Sequence, residues 1–323
     1  MRLDLDFHGV SVSIRAAAGF ESILDDLNED FAYFSRPSTQ GPASIEITLL
    51  PHDRAARLRP RLPLAFKTRM CRVYGWGATR LCDYGQNAGN ELRVFSRKSR
   101  QNPAGRKFRV IGSDAAGIYE ATYIVILSSV GESLDGLGYH RIHALAFARD
   151  NGTALLPLRS GGGKSSIAAL LLRDERYRLF SDEIPLLKEG KLYPFPIRIA
   201  LLPPVAEAIG LDPSVSRCFL RRIFAEKVLL PVPPDRVAAA GKLDLLITAD
   251  SRIQLIWVFF WGLGVPQMAE YMLRLDNTAR LMRIAISRLR EALLLLNGPA
   301  RLNLELTADP FANKAKIDER WIQ

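Results

Sequence analysis

Three glycines, Gly161-Gly162-Gly163, run directly into Lys164-Ser165-Ser166, and an apolar segment, Leu155 to Leu158, leads into them through Arg159-Ser160. That order suits phosphate binding. Glycines let backbone amides turn toward phosphate oxygens, because no side chain blocks the approach. A helix opening at Lys164 would aim its unpaired amides and positive dipole end at the same anion. Ser160, Gly161, Gly162, Gly163, Lys164, Ser165 and Ser166 are therefore the expected cradle of a P-loop. Lys164 would reach the β- and γ-phosphates, its side chain facing solvent in the empty loop, and Ser165 would ligate Mg²⁺. In the usual G-x-x-x-x-G-K-[ST] pattern the first glycine falls at position 158, where this chain has Leu158.

A second group follows one helix and one strand later. Asp182 and Glu183 close the short run Tyr177 to Ser181. Adjacent carboxylates on an extended segment point to opposite sides. One can serve Mg²⁺ while the other faces an acceptor hydroxyl, and phosphoryl transfer needs both tasks done. Upstream, His143 stands beside Ala144, Leu145 and Phe147 on what reads as an alternating strand.

These groups need elements to hold them. The periodicity predicts a strand over 143–149, a turn at Asp150-Asn151-Gly152, a strand over 153–158, the loop, a helix over 164–173 and a strand over 178–180. Short strands over 184–188 and 191–193 share a turn at Gly190. Further strands are expected over 243–248, 253–260 and 301–306, with helices from Asn277 and over 310–321. The first 112 residues read as a smaller α+β domain rich in antiparallel strands: a hairpin over 3–14 turning at His8-Gly9, a helix over 20–34 with Phe20, Ile23, Leu24, Leu27, Phe31 and Phe34 on one stripe, then four strands. Gly112-Ser113-Asp114 breaks the chain before an apolar helix over 115–130, and Gly131 to Gly138 reads as a loop. The expected division is 1–112 and 113–323.

The segment His143 to Leu187, RIHALAFARDNGTALLPLRSGGGKSSIAALLLRDERYRLFSDEIPLL with its two leading residues, resembles the catalytic core of the HPr kinase/phosphorylase family. Phosphoenolpyruvate carboxykinases share this type of P-loop domain more distantly. The Ser181-Asp182-Glu183 form of the acidic pair and the stretch Tyr193-Pro194-Phe195-Pro196 resemble the HPr-kinase-like proteins of bacterial biosynthetic clusters, lasso-peptide kinases among them. The resemblance implies an α/β fold, a P-loop domain with a mixed sheet behind the smaller α+β domain. It implies ATP and Mg²⁺ as cofactors, Asp182 as the catalytic base, Glu183 as the acid near the metal, and His143 close to the phosphates. Arg198 is placed near the phosphates by proximity. The chain departs from the family at Leu158, at Glu183 in place of a second Asp, and in lacking the Glu-Ile-Arg-Gly-Leu-Gly signature. The last point separates it from phosphorylase activity and from HPr as substrate.

The expected function is phosphoryl transfer from ATP to a Ser or Thr hydroxyl on a small protein or peptide. A small-molecule phosphotransferase on the same core and a nucleotide-binding regulatory module without catalysis remain open; no L-S-G-G-Q motif points to an ABC-type ATPase. The 323 residues include 48% hydrophobic and 24% charged, a globular balance. Cys71, Cys82 and Cys218 form no C-x-x-C pair, which argues against a zinc site or disulfide framework. The opening MRLDLDFHG carries acids where a signal peptide is apolar, and the longest apolar run, 255–265, is short for a bilayer, so a cytoplasmic chain without membrane insertion is expected. Net charge is +10, with two acid-free basic stretches between Arg54 and Arg72 and between Arg93 and Arg109. They read as a solvated face, a dock for an acidic protein or peptide, or a nucleic-acid surface. No zinc-finger, basic-zipper or RNP-like pattern accompanies them, so nucleic acid is not the expected partner. Self-association is open.

Overall fold

A computed structural model describes residues 1–37, 43–52, 62–67, 71–76, 79–84, 92–98, 105–150, 152–158, 161–211, 218–219, 227–248, 287, 290–291, 294–295, 298–306 and 309–322. The architecture is mixed α/β, rich in strands and sparing in helices. The chain divides into two compact units, Met1–Ser133 and Leu134–Gln323.

In the first unit, β1 (Arg2–Phe7), β2 (Val10–Ala16), β3 (Ile45–Pro51), β4 (Leu64–Lys67), β5 (Arg72–Trp76), β6 (Thr79–Asp83), β7 (Leu92–Lys98) and β8 (Arg106–Gly112) form one sheet in the order β1-β2-β3-β8-β7-β6-β5-β4. Phe7 pairs with Val10, and His8 and Gly9 both take positive φ, 53° and 90°, as a two-residue hairpin turn requires. Helix α1 (Glu21–Asp30) carries the chain from β2 to parallel β3. The expected helix over 20–34 stops at Asp30 and tightens into a 3₁₀ turn over Ala32–Phe34. That turn brings Phe31 and Phe34 onto Phe7, at ring separations of 5.5 and 4.3 Å.

Helix α2 (Ala115–Gly136) opens with the Asp114 carboxylate accepting from Gly117 N at 2.9 Å. It passes straight through the stretch from Gly131 that reads as a loop. Each glycine inside a helix costs about 1 kcal/mol against alanine. Side-chain contacts offset that cost: Glu132 pairs with Arg106 at 2.7 Å, and Ser133 Oγ donates to the Ser129 carbonyl.

The second unit contains β9 (His140–Arg141), β10 (Leu145–Arg149), β11 (Gly152–Leu156), helix α3 (Lys164–Leu171), β12 (Arg178–Ser181), β13 (Leu186–Lys188), β14 (Lys191–Tyr193), β15 (Ile199–Leu201), α4 (Pro203–Ala208), β16 (Cys218–Phe219), β17 (Lys227–Leu230), β18 (Gly241–Lys242), β19 (Leu245–Thr248), β20 (Ala300–Asn303) and α5 (Pro310–Ile322). The central sheet runs β12-β10-β11-β19-β20, with β18-β14-β13-β9 and β15-β17-β16 beside it. In the central sheet β10 is antiparallel to both neighbours, while β11, β19 and β20 are mutually parallel. Both faces are buried. Leu145, Phe147, Ala154 and Leu156 pack with Ile167, Leu170 and Leu171 of α3, while Ala144, Ala146, Leu155, Phe180 and Leu246 pack with Leu187 and Leu192. A sheet covered on both sides explains why Leu155 and Leu156 follow one another without a polar residue between.

The strand expected over 253–260, Arg221-Arg222 and the aromatic run from Trp257 to Trp261 lie outside the described residues. Of the helix expected from Asn277, Ser287, Arg290, Glu291, Leu294 and Leu295 are described, and all are helical. Among the described residues no helix is long and apolar enough to cross a membrane.

Arg141 and Asp135 form an ion pair at 2.9 Å whose side chains are 3% and 0% exposed. Arg141 Nε has no hydrogen-bond partner there. Removing one member of a buried pair strands the other charge. Asp135→Ala should therefore cost about 3–5 kcal/mol in urea unfolding, and Asp135→Leu with Arg141→Met should recover most of it. A loss in the single variant no larger than in the double would refute this.

Candidate functional site

The direction of β10 decides where the chemistry gathers. Because β10 runs against both β11 and β12, its N-terminal end lies beside their C-terminal ends. His143 just precedes β10, the glycine loop follows β11, and Asp182-Glu183 follow β12. One end of the sheet thus receives all three segments. His143 itself sits in a bend before the strand, not on it as its alternating neighbours suggest. Two backbone bonds brace that bend: Ile142 N to the Pro185 carbonyl at 3.0 Å and Ala144 N to the Glu183 carbonyl at 3.3 Å.

Gly161 and Gly163 adopt left-handed backbone, φ 78° and 86°. A Cβ added at either would meet no heavy atom within 4 Å, so conformation, not crowding, calls for glycine there, and the space above the loop stays open. Gly163 is the N-cap of α3 and offers no side chain to its first-turn amides. Gly162 and Ser166 are partly exposed around that turn, and Ser160 lies outside the described residues. Leu158 stands where the motif has its first glycine. Its side chain is buried in the core with Leu156 and Ile167, and only its carbonyl faces the loop.

That carbonyl accepts from Lys164 Nζ at 2.9 Å. The expectation of a solvent-facing Lys164 is therefore corrected: the side chain is turned inward and only 6% of the residue is exposed. Its Nζ also lies 2.9 Å from His143 Nε2. An ammonium has protons and no lone pair, so Nε2 must be the acceptor and the imidazole proton sits on Nδ1. Burial lowers the pKa of Lys164, opposed by the negative charges of Glu183 and Asp182. Burial also lowers that of His143, helped by the Lys164 charge and opposed by Glu183.

The acidic pair splits, although it lies in a bend just beyond β12 and not on the extended chain that the sequence suggests. Asp182 is 3% exposed and Glu183 is exposed. Asp182 Oδ2 accepts from Ser165 Oγ at 2.8 Å, while Oδ1 is buried without a hydrogen-bond partner among the described residues. Burial and the neighbouring Glu183 push the Asp182 pKa from 3.8 up to about 7, against the pull of Ser165 and Lys164. Ser181 sets the pair: its Oγ accepts from Glu183 N at 3.2 Å and Ile184 N at 2.9 Å, closing a Ser turn. A Ser directly before two acids at a strand end is the sequence signal for such a turn. Arg198 is buried immediately before β15, whose Ile199 and Leu201 share the core that receives α3.

Among the described residues no cluster of three or more His, Cys, Asp or Glu side chains gathers to hold a metal alone. Mg²⁺ at phosphoryl-transfer sites takes one or two carboxylates, with phosphates and water completing its shell. The residues fit that partial role. A hydroxyl has two lone pairs and one proton, so Ser165 can ligate through a lone pair while still donating to Asp182. The exposed Glu183 could supply a further oxygen. No protein-family model and no curated protein matches the chain.

The raised Asp182 value carries a pH signature. A group whose folded pKa lies above its unfolded value supports folding fully below the unfolded value, near 3.8, and that support is lost as pH rises through about 7. Asp182→Asn stays neutral throughout, so the variant's melting temperature minus that of the parent chain should grow between pH 5 and pH 8. Parallel melting curves across that range would show that Asp182 is not held as described.

Proposed function

We propose that this chain is an ATP- and Mg²⁺-dependent kinase of the HPr-kinase-like type, transferring the γ-phosphoryl group to a Ser or Thr hydroxyl of a small protein or peptide. The observation that supports it best is the hydrogen bond from Ser165, on the first turn after the glycine loop, to the buried carboxyl of Asp182. It joins a phosphate cradle to a proton-handling group at one end of one sheet.

The glycine loop and the first-turn amides of α3 bind the triphosphate. Lys164 exchanges the Leu158 carbonyl and His143 for the β- and γ-phosphates, because an anionic phosphate oxygen is a stronger partner for a buried ammonium than either neutral acceptor. Ser165 and Glu183 would hold Mg²⁺, which when bound would neutralise charge on the transferring phosphoryl group. Asp182 Oδ2 keeps Ser165 oriented, and its Oδ1 takes the acceptor's proton. As that proton leaves, the acceptor oxygen bonds to the γ-phosphorus and the bond to the β-bridging oxygen breaks, releasing ADP. A carboxyl with a pKa near 7 suits that task better than an ordinary aspartate. His143, once Lys164 moves away, presents a neutral Nε2 to the same space.

Titration calorimetry separates the parts. Lys164→Ala should lower Mg·ATP affinity by about tenfold or more while the chain stays folded; equal affinities would remove the P-loop assignment. Asp182→Asn should keep Mg·ATP binding and lose phosphoryl transfer, whereas Glu183→Gln should raise the Mg²⁺ concentration needed. If both retained full turnover, the acidic pair would be structural.

A further inference from the structure

The first unit's sheet has one face turned to its helices and one that is not. On the helix-facing side, Ile45, Ile47 and Leu49 of β3 stand in register with Phe108 and Val110 of β8, and these with Val94 of β7. Arg106, on that side, reaches Glu132 of α2, and α1 packs on β1 and β2. Alternation sends the residues between them to the other side. There the register builds a row across four strands: Leu64 opposite Tyr74, Tyr74 opposite Leu81, Leu81 opposite Phe95. The row continues from Phe95 to Arg109, Thr48 and Arg15. Leu64 is 56% exposed and the other three apolar members are partly so.

Cations border this row. Lys67, Arg72 and Arg93 lie along one side, and Arg97 and Lys107 along the other. The acids on the face are already engaged: Asp83 with Arg93, Glu46 with Lys107, Asp4 with Arg2, and Asp6 with the Gly9 amide at the hairpin turn. Among the described residues Arg15, Lys67, Arg72, Arg97 and Arg109 form no ion pair. Lys67, Arg72, Arg97 and Arg15 are exposed. The face therefore carries an apolar strip inside a rim of uncompensated positive charge.

We propose that this face docks an extended acidic peptide whose apolar side chains lie on the Leu64–Phe95 row and whose carboxylates meet the rim. Given the kinase reading, on which this step rests, that peptide is the recognition segment of the phosphoryl acceptor. Charge complementarity argues for an acidic partner: among the described residues three of the four acids on the face pair with a cation, and five cations form no ion pair. The row argues for a peptide over single-stranded nucleic acid. Leu64 and Leu81 interrupt it, and they offer no ring for a base to stack on.

The probe is a fluorescent peptide alternating Glu and Leu, titrated against the full chain by anisotropy. Its Lys-for-Glu counterpart and an oligo-dT strand serve as comparators. The acidic peptide should bind, and more weakly as salt rises. Arg72→Glu with Arg97→Glu should lower its affinity about tenfold or more, and Phe95→Ala should lower it by a factor that salt does not change. Both variants should keep the parent melting temperature and Mg·ATP affinity. No binding, an affinity indifferent to the charge reversal, or tighter binding of oligo-dT through the same residues would overturn the proposal. Mg·ATP binding is read separately on the parent chain. Its loss there would remove the kinase reading, and with it the acceptor role of the peptide, while leaving the surface to stand or fall on the titration.

Discussion

The strand β10 runs against both of its neighbours, and the candidate site depends on that one constraint. Had β10 been parallel to β11, His143 would emerge at the far end of the sheet from the loop. As it is, each of three consecutive segments ends or begins at the same edge. The hairpin that reverses β10 into β11 turns at Gly152, which takes φ 153°, and Asp244 anchors it by accepting from Thr153 N at 2.9 Å. A Cβ at Gly152 would stand 3.0 Å from that same carboxylate, so the turn and its anchor require glycine together.

Within the site, burial and charge oppose one another in a balanced way. Lys164 and Asp182 are both removed from water, and each is drawn toward neutrality by that burial. Each also faces the opposite charge of the other. Glu183 lies outside this pocket of low polarity, yet its field acts on all three inner groups, favouring charge on Lys164 and His143 and disfavouring it on Asp182. On the proposed reading, an incoming triphosphate would give the positive group a partner while the acidic one would meet another negative charge. Only a cation arriving with the polyanion satisfies both.

Much of this was legible in the residues. Asp150-Asn151-Gly152 and Gly190 announce their turns, Gly161 to Ser165 announce the loop, and Asp114 announces the start of α2. What was not legible depended on distant partners. The helix continues through Gly131 because Arg106 waits for Glu132. Lys164 folds inward onto the Leu158 carbonyl and His143, 6 and 21 residues earlier in the chain. Local pattern shows Leu158 as a defect, and packing shows it as an ordinary core residue. The basic stretches show no direction in sequence; among the described residues the register of β4 to β8 sends Lys67, Arg72, Arg97 and Arg109 to one face and Arg106 to the other.

The parallel pairing of β11 with β19 links the site to the order in which the chain is made. His143, the loop and Asp182 are all translated before Leu245, which supplies β11 with its second neighbour. Through that interval β10, β11 and β12 can assemble from contacts close in sequence, and such contacts form fast. The outer edge of β11, with Leu155 and Leu156, stays unpaired until the later segment emerges from the ribosome. An apolar strand edge left open during synthesis is a template for misassociation between nascent chains. Yield in cells should accordingly be governed less by the finished fold than by how quickly translation crosses the residues between β12 and β19.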